Sequence, residues 1–106
     1  MNHPHRPAIL FLLTLTLSPV AYADQALANA KGCMACHDLK VKKVGPAFRD
    51  VATKYAGQKE AAAKLSRNVL DGGSGSWGEV AMPANKTMGV TDADAKKLVT
   101  WILSLK

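Results

Sequence analysis

Apolar positions along this chain recur with the period of helices and almost nowhere with the period of strands. Phe48, Val51, Ala52 and Tyr55 fall at i, i+3, i+4 and i+7, which predicts a short helix over 47–55. Pro46 ahead of it suits a first helical turn, and Gly57 stops it. Ala62, Leu65, Val69 and Leu70 give the inward face of a helix over 61–70, which ends at Gly72-Gly73. The clearest stripe is the last. Ala95, Leu98, Val99, Ile102 and Leu105 share one face, with Trp101 beside it and Lys96 and Lys97 turned to water. Thr91 is the candidate N-cap, and Asp94 three residues on makes a capping-box arrangement. Asp92 and Asp94 also suit the positive end of the helix dipole. Upstream, Asp24 to Lys31 reads as an alanine-rich helix with Leu27 and Ala30 on one face. Gly32 stands where a left-handed cap would close it.

Residues 72–90, GGSGSWGEVAMPANKTMGV, show neither period and are expected to form a long irregular loop. Loops of that length in a short chain are generally functional or disordered. Trp77, Met82 and Met88 argue that this one packs against something. The predicted fold class is therefore all-α, four short helices around an irregular loop. About a dozen large apolar side chains is thin for a core, so a filler is expected.

The N-terminal 23 residues read as a targeting segment. His3, His5 and Arg6 precede the apolar run Ala8–Leu17. That run is far below the roughly 20 residues a membrane-spanning helix needs. Pro19 ends it, and Ala21-Tyr22-Ala23 is a small-x-small cleavage pattern. The expectation is an exported, periplasmic protein cleaved after Ala23, with one domain over 24–106 and no stable membrane insertion. Thirteen basic and eight acidic residues remain in that domain. The lysines are scattered, without an arginine stripe or interleaved aromatics, which argues against nucleic acid. A solvated basic face that steers an acidic protein partner fits better.

The chemistry lies in Cys33-Met34-Ala35-Cys36-His37. Zinc needs four ligands, and the mature chain offers two cysteines and one histidine. A thioredoxin-like dithiol expects a strand before the motif, and none is predicted. A plain disulfide would leave His37 unexplained. Covalent haem attachment accounts for all three residues. One turn sets both sulfurs along a porphyrin edge for thioether bonds, and the next residue offers its imidazole to the iron. His37 is then the fifth ligand, and the sixth cannot be another histidine. Met34 sits inside the attachment turn and cannot reach the far face. Met82, Met88 or an open position remain. Met82 is the better candidate, because Pro83 holds it extended inside a loop long enough to fold over a flat cofactor. A methionine–histidine pair raises the reduction potential and closes the iron to other ligands, which points to electron transfer. The alternative is a haem enzyme or ligand sensor with a labile distal methionine.

The chain resembles the short bacterial class I cytochromes c, of the cytochrome c-551/c-552 type. The resemblance rests on KGCMACH (31–37), VGPAFRDVATKYAG (44–57), GSGSWGEVAMPAN (73–85) and DADAKKLVTWILSLK (92–106). It implies a small fold of about four helices wrapped around one haem c, with the first and last helices crossing. Cys33 and Cys36 would be the thioether sites, and His37 and Met82 the axial ligands. Pro46 resembles a proline whose preceding loop accepts the other N–H of the ligand histidine. Trp77 resembles a tryptophan that donates to a haem propionate, and Asn85 an asparagine near the methionine sulfur. The implied function is a monomeric, soluble one-electron carrier, not an enzyme. Its partners would be redox proteins such as a nitrite reductase, a terminal oxidase, a peroxidase or a photosynthetic reaction centre. Two departures stand out. KTMGV (86–90) lengthens the loop after Asn85 and adds Met88, and Asn68, with Arg67 adjacent, stands where relatives carry a basic side chain.

Overall fold

The C-terminal helix, Asp92–Ser104, is the element on which the others assemble in the computed structural model, which describes residues 1–5, 7–15 and 20–106. Its start is set locally. The Thr91 hydroxyl accepts from the Asp94 N–H at 3.1 Å, and the Thr91 N–H donates to the Asp94 carboxylate at 3.1 Å, so the expected capping box is complete. Lys31 closes the same corner from outside, reaching the Asp94 carboxylate at 3.4 Å and the Gly89 carbonyl at 3.0 Å.

Three further α-helices pack against this one. They are α1 (Val20–Ala30), α2 (Phe48–Lys54) and α3 (Ala61–Asp71), and the C-terminal helix is α4. The shared core joins Phe48, Val51 and Tyr55 of the α2 region, Leu65 of α3, and Leu98, Val99 and Ile102 of α4. Trp101 is buried within it and meets Phe48 edge-on at 5.7 Å, where the sequence set it beside the stripe. In α3 the buried alanine is Ala61 and Ala62 is exposed. The inward face runs through 61, 65 and 69, and the small side chains of the Ala61–Ala63 run cannot report that phase. Gly32 closes the α1 region in the left-handed conformation, φ 77°.

Two differences from expectation matter for the site. Helix α1 begins four residues before the expected mature terminus, so its first turn lies in the segment a signal peptidase would remove. Pro19, expected to end the leader's apolar run, lies outside the described residues, and residues 7–15 form no helix or strand. No described helix is long and apolar enough to cross a membrane. The second difference is that 72–90 is not irregular. Gly73–Gly75 (β1) and Gly78–Met82 (β2) pair antiparallel, with Gly75 opposite Gly78 and Gly73 opposite Met82 and an irregular register between. The fold is thus mostly helical with a small two-stranded sheet. Gly-Ser-Gly has almost no side chains to alternate, so the strand leaves no pattern to read. KTMGV is ordered too. A 3₁₀ turn, Asn85–Met88, leads to Val90, whose side chain is buried in the core region.

Candidate functional site

After Gly32 the chain makes one tight 3₁₀ turn, Cys33–Ala35, and the N–H groups of Cys36 and His37 both reach back to the Cys33 carbonyl. Both cysteines and the histidine therefore lie on one turn, unbridged. Cys33 packs against the core, and burial pushes its thiol above the ordinary range. Cys36 opens onto a cleft of ≈ 510 Å³, within the roughly 300–1,000 Å³ usual for cofactor pockets.

His37 is the most constrained polar group there. Its Nδ1 lies 2.7 Å from the Pro46 carbonyl, which can only accept, so Nδ1 is the donor there and Nε2 is the nitrogen left for a metal. The acceptor is Pro46 itself and not the loop before it. The ring stacks on Phe48 with centroids 4.7 Å apart. Gly45 presses on the same ring, since a Cβ built there would stand 2.5 Å from Cε1. The spacing of Gly45-Pro46 carried no sign of this approach.

The rest of the cleft is lined by Val51 of α2, Leu65 and Val69 of α3, Val99 and Ile102 of α4, and the hairpin from Gly73 to Met82. Met82 is half-buried at the end of β2 and lines the cleft. Met88 is 57% exposed and does not. Gly72, φ 71°, lets the end of α3 pass against the backbone of Met82 and Pro83, where a Cβ would collide with the Met82 carbonyl oxygen. Trp77 forms the hairpin turn and lines the cleft, and Asn68 lines it from α3. Arg67 is exposed. Asn85 is buried but lies outside the cleft, and its Nδ2 donates to the Val69 carbonyl at 2.9 Å. The charged residues of the lining, Lys42 and Lys43, are both basic. The cleft thus brings together Cys36, His37, Pro46, Trp77 and Met82, with Cys33 behind it and Asn85 bracing the loop below.

The family model "Cytochrome c" matches residues 24–106. The chain belongs to the cytochrome c family. Cytochrome c-552 of Hydrogenobacter thermophilus is 54% identical over 92% of this chain and 96% of its own length. Cytochrome c-551 of Pseudomonas aeruginosa is 42% identical over 95% and 99%. The crystal structure of Nitrosomonas europaea cytochrome c552 superposes with a TM-score of 0.73 at 48% identity, over 77% of this chain and 99% of that one. Family membership makes the chain an electron-transfer protein and not an enzyme, and gives it one covalently attached haem c. That membership also disposes of the enzyme alternative. The cleft fits the group on its own terms. It is large, walled mostly by apolar side chains, reached by a cysteine, and faced by an imidazole whose free nitrogen is the metal-binding one.

Proposed function

We propose that this cytochrome c is an exported, periplasmic, monomeric one-electron carrier of the c-551/c-552 type, with residues 1–23 removed as a signal peptide. Cys33 and Cys36 would hold the haem through thioethers, and His37 and Met82 would ligate its iron. The bound group supplies an iron that gains and loses one electron. The chain's residues fix how that happens. The single observation that carries the assignment is the Pro46 carbonyl on His37 Nδ1, which locks the tautomer and ring orientation a metal-ligating histidine requires. Phe48 stacks on the same ring and Gly45 packs against it, which limits how far it can move. Met82 lines the same cleft from a different element, among mostly apolar neighbours. A thioether paired with histidine raises the potential.

The mouth is basic through Lys42 and Lys43, and the mature chain carries five more basic than acidic residues. This supports weak, fast docking to acidic patches on redox partners, of the nitrite reductase, oxidase, peroxidase or reaction-centre kind. Trp77 and Asn68, which line the cleft, are our candidates for donors to a haem propionate.

The test is the visible spectrum of the oxidised holoprotein. The weak far-red band of methionine–ferric iron coordination is expected, lost in Met82→Ala and kept in Met88→Ala. A band that survives in Met82→Ala overturns the axial assignment.

A further inference from the structure

Among the described residues, two features of the protein tie the hairpin that carries Met82 to other elements. At its base, the Gly72 N–H bonds the Asn68 carbonyl at 2.8 Å and the Gly72 backbone packs on Met82 and Pro83. Between base and turn, residues 73–81 are all exposed, so no side chain there anchors the ribbon in the protein core. At the turn, the Lys54 ammonium donates to the Ser76 carbonyl at 2.7 Å and sits 4.4 Å from the centroid of the Trp77 ring. Among the described residues this is the one hydrogen bond from 73–81 to another element. Lys54 is the last residue of α2, which is fixed in the core through Phe48, Val51 and Ala52. Among the described residues its ammonium has no carboxylate within ion-pair distance. Its charge is therefore directed at a carbonyl dipole and at the faces of Trp77 and, at 5.8 Å, Tyr55.

We infer that Lys54 is a positioning residue that latches the hairpin turn to α2 and so holds Met82 in place over the cleft. The arrangement is a lever. Its hinge lies at Gly72 and Pro83, its free end at Ser76-Trp77, and the latch acts at the free end, where a given force restrains rotation most. Lys54 is not one of the residues lining the cleft, and its effect passes through the ribbon. The role of Met82 in this inference rests on its reading as the distal ligand.

The experiment compares amide hydrogen exchange in ferric holoprotein of the wild type, Lys54→Met and Lys54→Arg, together with the rate of cyanide uptake. Loss of one charge-assisted hydrogen bond and its cation–π contact is expected to speed exchange in 73–82 by about tenfold in Lys54→Met. Amides of α1 and α4 should be unchanged, and Lys54→Arg should restore the hairpin. Cyanide uptake should rise in parallel. Unchanged hairpin exchange in Lys54→Met, or a uniform rise that includes α1 and α4, overturns the latch. Faster hairpin exchange with unchanged cyanide uptake upholds the latch and counts instead against Met82 as the ligand it carries.

Discussion

Replacing Gly45 by alanine tests the clamp on His37 with one added methyl group. The new Cβ would stand 2.5 Å from Cε1, 2.9 Å from Nδ1 and 3.0 Å from Nε2 of the imidazole. Gly45 does not use a positive φ, so alanine suits the backbone and the effect is steric. Neither side can yield freely. The ring is tied to the Pro46 carbonyl at 2.7 Å and stacked on Phe48. The Gly45 N–H is bonded to the Cys36 carbonyl at 2.8 Å, and its carbonyl accepts from the Lys43 N–H at 3.1 Å. Overpacking of this kind costs about 1–3 kcal/mol. A domain of this size loses roughly 4–8 °C per kcal/mol, so a midpoint drop on the order of 10 °C is expected. Thermal unfolding of oxidised and reduced holoprotein measures it, and a changed reduction potential should accompany it because the ring is tilted. Gly57→Ala is the control. It sits at φ 74° with nothing within 4 Å of the new Cβ, so it carries only the left-handed backbone penalty and should leave the potential alone. A Gly45→Ala protein with wild-type midpoint and potential would refute the clamp.

Two further substitutions probe the supports of the hairpin and of α4. Asn85→Ala removes the bond to the Val69 carbonyl and should lower stability by about 1–3 kcal/mol, read as a lower midpoint in guanidinium with unchanged slope; an unchanged midpoint would show the bond to be incidental. Asp94 has its carboxyl pKa held below the ordinary value, first by the Thr91 N–H and further by the Thr91 hydroxyl and Lys31. A depressed carboxyl adds stability above its unfolded pKa and loses it as pH falls through the folded value. Asp94→Ala should therefore weaken the fold at neutral pH and flatten the fall in stability on the acid side, and an acid limb as steep as the wild type's would contradict this.

The helical part of this fold is legible because its causes are local. Phe48, Val51 and Tyr55 announce α2 by spacing, and Thr91 and Asp94 announce the start of α4 by a box that closes within three residues. Cys33, Cys36 and His37 belong to the same class, since one turn is enough to place them. Where local signals are weak, the reading slips. Alanines 61 to 63 carry too little apolar contrast to set the phase of α3, and the buried one is Ala61. The start of α1 slipped for a related reason, because the helix continues through Val20–Ala23, a segment read for its cleavage pattern.

The distal half was hard to read because everything that shapes it is long-range. Asn85 reaches Val69 across 16 positions, Lys54 reaches Ser76 across 22, and Lys31 reaches Gly89 across 58. A hairpin built on Gly-Ser-Gly has nothing to bury and so no period to display. Its place is set by glycine at the base, where the chain must pass close, and by one lysine at the tip. The two methionines illustrate the consequence. Met82 and Met88 are six residues apart and look alike as candidate ligands, but only Met82 lines the cleft. The difference comes from the 3₁₀ turn at Asn85–Met88, which buries Asn85 and Val90 and thereby leaves Met88 exposed. The KTMGV segment thus packs against α3, with Lys86 and Asp71 paired at 2.7 Å, and its Met88 does not line the cleft.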